Sequence, residues 1–321
     1  MDVSRLWAAA SGWGDWVGYA MAADRAVSTA DRLRAHVALT KPRIVELLLA
    51  TALPTTFLAA GGLPPLWPTV AVMVGGTLAA GSANTFNSVY DRDIDAIMGR
   101  TFHRPAAMGI VSVRAGLIQG TLLAIASALI LVLLANPLSA VLSLVAIAFY
   151  AIGYTMILKR RTPQNIVWGG AAGCMPVLIA WAAVTGSLTW TPVVLFLIIF
   201  FWTPPHYWPL AMKFREDYAA AGIPMLPVVR SRQVVASSIV RYTWVMVAVS
   251  LLLIPVAPMG WLYGVGAAVL GGAFLYEAYL LRSRVAAEAT DVTATAMRLF
   301  HGSITYLALL FLLIAIDPFL H

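Results

Sequence analysis

The basic residues of this chain are confined to five segments. Arg5, Arg25, Arg32, Arg34, Lys41 and Arg43 come first, then Arg92, Arg100, Arg104 and Arg114, then Lys159, Arg160 and Arg161. Lys213, Arg215, Arg230, Arg232 and Arg241 form the fourth group, and Arg282, Arg284 and Arg298 the fifth; together these are all 21 Lys and Arg. The gaps between groups hold paired apolar runs that turn around without a basic residue. About 20 apolar residues cross a bilayer as a helix. Nine runs approach that length: 44–60, 67–87, 115–134, 138–158, 166–184, 192–212, 242–256, 261–281 and 299–316, the seventh being short and starting earlier. Cytoplasmic loops concentrate Lys and Arg, so nine spans place the N-terminus in the cytoplasm and the C-terminus outside. A wrong count would scatter the charges to both sides. The expectation is an all-α, polytopic membrane protein.

Composition agrees. The chain is 61% hydrophobic and 11% charged, against about 25% charged in soluble domains. Its net charge of +7 therefore points to lipid headgroups and phosphates rather than nucleic acid. The single cysteine, Cys174, forms no disulfide and no thiolate cluster. Residues 1–40 read as a cytoplasmic arm, either interfacial or mobile. Gly12, Gly14 and Asp15 interrupt its apolar stretch, and four aspartates argue against a mitochondrial leader.

The stretch "NTFNSVYDRDIDAIMGRTFHRP" breaks the apolar pattern. Asn87, Asp91 and Asp95 recur every fourth residue, so on a helix they stack along one face, with Asp93 turned away. A solvated helix end accounts for one or two acids. Three, with no lysine in the segment to pair them, sit badly at a helix C-terminus and raise one another's pKa. A divalent cation relieves both problems, and Mg²⁺ takes carboxylates together with substrate phosphates. Arg100, His103 and Arg104 follow as groups suited to phosphate oxygens. Lys159 to Arg161 lie in a loop on the same side, as ligands or as topology determinants.

A second polar group closes the sixth run in "FWTPPHYWPLAMKFREDYAAAGIPMLPVV". Pro204, Pro205 and Pro209 are expected to kink that helix. Trp202, His206, Tyr207 and Trp208 read as interface anchors or as cavity walls, since aromatic faces stabilise cations. Lys213, Arg215 and Asp217 emerge on the cytoplasmic side, as do Tyr150 and Tyr154 from the fourth run. Two polar clusters at one face suggest a central cavity with a polar mouth.

At these residues the chain resembles the UbiA superfamily of intramembrane prenyltransferases. Asn87, Asp91 and Asp95 match its Asn-x-x-x-Asp-x-x-x-Asp motif. The blocks "LTKPRIVELLL", "NSVYDRDIDAIMGRTFHRP", "YTMILKRRTPQNIVWGGAAGCMPVLIAWAAVTGS" and "FWTPPHYWPLAMKFREDYAAAGIPMLPVV" are similar to the haem-farnesylating branch. The resemblance implies a UbiA-like fold with nine helices around a cavity, residues 41–321 forming the prenyltransferase domain. It implies farnesyl transfer from farnesyl diphosphate to a vinyl group of protohaem IX, with water added, in a bacterial inner membrane, with Mg²⁺ on Asn87, Asp91 and Asp95. Arg100, Arg104, Lys159, Lys213, Arg215, Asp217, Tyr150, Tyr154 and Trp202 would contact the substrates. His206 is the candidate haem contact, ahead of His36, His103 and His301, and the product would pass to a haem A synthase or a terminal oxidase assembly. The second Asp-x-x-x-Asp motif of many relatives is reduced here to Asp217 with Lys213 before it, so a second metal site is in doubt. Rival readings are a prenyltransferase acting on an aromatic quinone precursor, a membrane transporter, and an assembly factor.

Overall fold

A computed structural model describes residues 28–257 and 259–320. The expected arm therefore lies outside the described residues as far as residue 27. After it comes α1 (Thr29–Leu39), started by Ser28, whose hydroxyl accepts the Asp31 N–H at 3.1 Å. Side-chain acceptors at that position satisfy an otherwise unpaired helix donor.

Among the described residues, nine helices are long and apolar enough to cross a membrane, and there is no strand. They are α2 (Pro42–Ala60), α3 (Leu66–Tyr90), α5 (Val113–Leu134), α6 (Pro137–Leu158), α7 (Asn165–Thr185), α8 (Trp190–Lys213), α11 (Arg232–Val256), α12 (Trp261–Ala286) and α13 (Val292–Ile316). Short helices α4 (Arg92–Ile97), α9 (Arg215–Ala220) and α10 (Leu226–Val229) lie in the charged loops. The chain is a multi-pass membrane protein. The seventh span does begin earlier than its apolar core, at Arg232, where Ser231 caps it.

Successive spans pack side by side, and α13 returns to α2, closing a ring. Contacts of α2 with α7 and of α8 with α13 draw the ring together. With little hydrophobic drive between helices in lipid, close backbone approach and interhelical hydrogen bonds take over. The α3–α5 seam shows both. Ser82 Oγ donates to the Gly120 carbonyl at 2.7 Å, and Ser127 Oγ to the Gly75 carbonyl at 2.8 Å. Phe86 lies on Gly120 so closely that a Cβ there would meet its ring at 2.8 Å. The C-terminal end of α3, where the acidic stripe begins, is thereby fixed against α5.

Two local features aim the site. Lys41 stands before Pro42, a position that disfavours the right-handed helical conformation. It adopts φ 53°, ψ 65° between α1 and α2, at a cost of about 1–2 kcal/mol for a residue with a Cβ. In α6 the last ten residues, Phe149–Leu158, wind as a π-helix. Lys159 N–H accordingly reaches back five residues to the Tyr154 carbonyl at 2.8 Å. Such segments are rare and shift every later side chain around the axis. By contrast, α8 runs as one helix with Pro204, Pro205 and Pro209 inside it.

Candidate active site

The acidic stripe spans a joint. Helix α3 ends at Tyr90 and α4 starts at Arg92, yet Asp91 N–H bonds to the Asn87 carbonyl at 2.9 Å and Asp95 N–H to the Asp91 carbonyl at 2.8 Å. The four-residue register survives, and Asn87, Asp91 and Asp95 are all buried. Asp93 is exposed and holds Arg160 at 2.7 and 2.8 Å; those bonds keep its carboxyl below the usual range.

The stripe has cationic partners after all, and here the sequence reading needs correction. Lys41 and Lys159 come from far along the chain, Arg104 from the same segment. Lys159 Nζ donates to Asp91 Oδ2 at 2.5 Å, and Asn87 Nδ2 donates to the same oxygen at 2.6 Å. Arg104 Nη1 touches both oxygens of Asp95, at 2.9 and 2.8 Å. Lys41 Nζ donates to Asn87 Oδ1 at 2.5 Å. Asn87 Nδ2 also reaches Thr155 Oγ at 3.1 Å, a contact the π-helix makes available. Burial, then the neighbouring charges of Arg104 and Lys159, pull the Lys41 ammonium down to about 7. One atom is left over: Asp91 Oδ1 is buried without a hydrogen bond, its nearest cation being Arg160 at 3.6 Å.

Beneath the stripe an apolar cavity of about 150 Å³ lies among α2, α3, α6 and α7. Ala79, Ala80, Ala83, Gly76 and Gly173 line it because their side chains leave the space. Asn84, on the same helix as Asn87, and Tyr150 line it too. Tyr150 and Tyr154 have ring centroids 5.4 Å apart. Tyr154 lies on the bare backbone of Gly169, where a Cβ would meet its ring at 2.1 Å. An apolar chamber next to clustered carboxylates and cations suits an amphiphile with a polyanionic head.

Comparison with known proteins decides the family. Residues 48–315 match the UbiA prenyltransferase family. The chain belongs to that family. A protoheme IX farnesyltransferase of Streptomyces avermitilis is 57% identical over 289 residues, covering 90% of this chain and 95% of that protein. Another, from Leifsonia xyli subsp. xyli, is 56% identical and covers 92% and 95%. Among solved structures, a digeranylgeranylglyceryl phosphate synthase superposes with a TM-score of 0.73 at 16% identity, covering 90% of this chain and 99% of that one. A UbiA homologue from Archaeoglobus fulgidus bound to DMAPP and Mg²⁺ gives 0.63 at 18% identity, covering 88% and 99%. These likenesses establish the UbiA fold expected from the spans.

The other UbiA loop, after α8, closes over the mouth. Tyr207 and Tyr218 share a hydrogen bond of 2.8 Å, and Arg100 Nη2 reaches the Tyr218 hydroxyl at 3.5 Å. Arg100 and Lys213 flank the Phe214 ring at 5.5 and 5.4 Å. Asp217 lies beside Gly99, where a Cβ would be 3.7 Å from its oxygen. Arg215 is turned elsewhere, its Nε donating to the Pro227 carbonyl at 2.9 Å. His103, exposed beside Arg104 and Arg100, has its pKa lowered by partial desolvation and by those charges.

Trp202 and His206 face α13. The His206 ring is stacked between Trp202, at 4.2 Å, and Phe300, at 4.7 Å, and its Nδ1 pairs with Ser303 Oγ at 2.7 Å. Trp202 Nε1 donates to the Ser303 carbonyl at 2.8 Å. His36 pairs with Gln119. Sequence reasoning missed Lys41, Thr155 and Tyr218. Lys41 stood in one of the similar blocks, and that was its only signal.

The donor set fits a divalent cation. Asn87, Asp91 and Asp95 offer hard oxygens, and Asp91 Oδ1, buried without a hydrogen bond, is the atom whose chemistry asks for one.

Proposed function

We propose that this chain transfers the farnesyl group of farnesyl diphosphate to a vinyl group of protohaem IX, with addition of water, giving haem O and diphosphate. The observation that carries the chemistry is the buried Asn87–Asp91–Asp95 stripe at the head of the apolar cavity. The acceptor is inferred from the relatives at 56–57% identity. UbiA membership removes the reason to consider a transporter or an assembly factor.

Asn87, Asp91 and Asp95 would hold Mg²⁺, which supplies countercharge to the leaving diphosphate. Lys159, Arg104 and Lys41 each donate to a different member of the stripe and would stabilise the charge that grows on the leaving diphosphate. Arg100, on the stripe's own loop, reaches across to Tyr218 of the loop after α8. The isoprenoid chain lies in the Ala- and Gly-lined cavity with C1 toward the stripe. As the C1–O bond breaks, the vinyl π electrons form the new C–C bond to C1. Water then adds to the cation left on the former vinyl carbon and releases a proton. The Tyr150 and Tyr154 faces border this region and suit a cationic intermediate. His206, held between two rings with Nδ1 on Ser303 Oγ, is the candidate haem contact. The loops carrying the site face the cytoplasm of a bacterial cell, as the basic residues around them favour.

The test is a mass spectrum of haem recovered after incubating purified protein with protohaem, farnesyl diphosphate and Mg²⁺. Haem O is expected, and it should disappear with chelator. Prenylation of 4-hydroxybenzoate in place of haem would overturn the acceptor; undiminished product with chelator would overturn the metal.

A further inference from the structure

A second cavity, of about 450 Å³, lies outside the active site between α8 and α11. One wall is a stripe on α11: Val234, Ser238, Arg241 and Val245, spaced by four, three and four residues and so on one helical face. The other wall is Phe201 and Trp208 of α8, two turns apart, with Arg230 at the rim. Gln164, just before α7, also lines it, so the cavity is at the end of the bundle that carries the acidic stripe.

Its polar groups are all donors or neutral. No carboxylate lines the cavity, and among the described residues neither Arg230 nor Arg241 forms an ion pair. Arg241 Nη2 is steadied by Ser238 Oγ at 3.0 Å. Trp208 is 1% exposed, packs edge-on to Tyr242 at 5.2 Å, and leaves its buried indole Nε1 without a hydrogen bond. Two guanidinium groups without a carboxylate partner, above apolar walls, are the requirements of one oxyanion on an apolar body. Val234 and Val245 are about half exposed on the outer face of α11, offering an exit for acyl chains.

We propose that this pocket binds an anionic phospholipid, its phosphate held by Arg230 and Arg241 and its chains lying along α11. Protohaem also pairs carboxylates with an apolar body. However, the acceptor must meet C1 of the prenyl chain, and this pocket shares no lining residue with the cavity beneath the stripe.

Native mass spectrometry of the full chain, titrated with phosphatidylglycerol or with phosphatidylcholine of the same acyl chains, tests the assignment. Phosphatidylglycerol should be retained about tenfold more tightly, as expected for charge-assisted hydrogen bonds. Arg230→Gln with Arg241→Gln should remove that preference while haem O formation persists. Arg241→Gln alone should weaken retention several-fold and decides the matter if the double variant does not fold. Equal retention of the two lipids, or a preference that survives the substitutions, would sink the proposal. So would displacement of the lipid by inorganic phosphate or by protohaem.

Discussion

Two aspartates in this molecule are equally hidden and differently used. Asp91 and Asp317 are each 0% exposed and lie toward opposite ends of the bundle. Asp317 follows α13 and caps the start of α12: its oxygens accept the Gly260 N–H at 2.6 Å and the Tyr263 N–H at 3.1 Å. Each oxygen has its donor, and the negative charge meets the positive end of a helix dipole. At Asp91 one oxygen collects Lys159 and Asn87 while the other has no hydrogen bond, at the unfavourable end of α3. Burial does not tell these two carboxylates apart. The distribution of partners over the two oxygens does.

That contrast can be tested from both sides. The largest effect is expected for Asp91→Asn, which keeps the shape and removes the charge. Turnover should fall about a hundredfold or more, on the scale of losing a preorganised electrostatic partner, with the melting temperature of the purified protein little changed. Full activity in the variant would place Asp91 beside Asp317 as a structural group. Next comes Lys41→Gly. It removes the amine on Asn87 and also relieves the left-handed backbone, so haem O formation should drop about tenfold while thermal stability holds or rises. A variant that loses stability instead would show Lys41 to be a brace. Gly169→Ala should displace Tyr154 and slow turnover by a smaller, several-fold factor, read from initial rates. Asp317→Ala is expected to leave the rate per folded molecule unchanged and to cost about 1–2 kcal/mol of stability, the range for a lost helix cap, seen as earlier thermal unfolding.

The bundle was readable because a bilayer imposes strict terms. A span needs its apolar length, and basic residues crowd one side, so runs and gaps alone yield nine helices. The stripe was readable because its members share a four-residue period. Its counter-charges were not. Lys41 and Lys159 lie 46 and 68 residues from the groups they touch, and only folding brings them together. Nothing in "FYAIGYTMIL" announces a π-helix, yet that winding carries Thr155 and Lys159 to the stripe. The aromatic run around His206 has a composition equally suited to a pocket wall and to packing between spans. The structure sets His206 and Trp202 against α13, which no local pattern specifies.

The cavity beneath the stripe owes its room to what Gly76, Ala79, Ala80 and Gly173 lack. Its depth is thus set by subtraction, like a ruler whose marks are missing methyl groups. Alanine and glycine codons are each one nucleotide from valine, so a lineage can shorten the longest tail it accepts in single steps, leaving the acidic head that breaks the C1–O bond as it is.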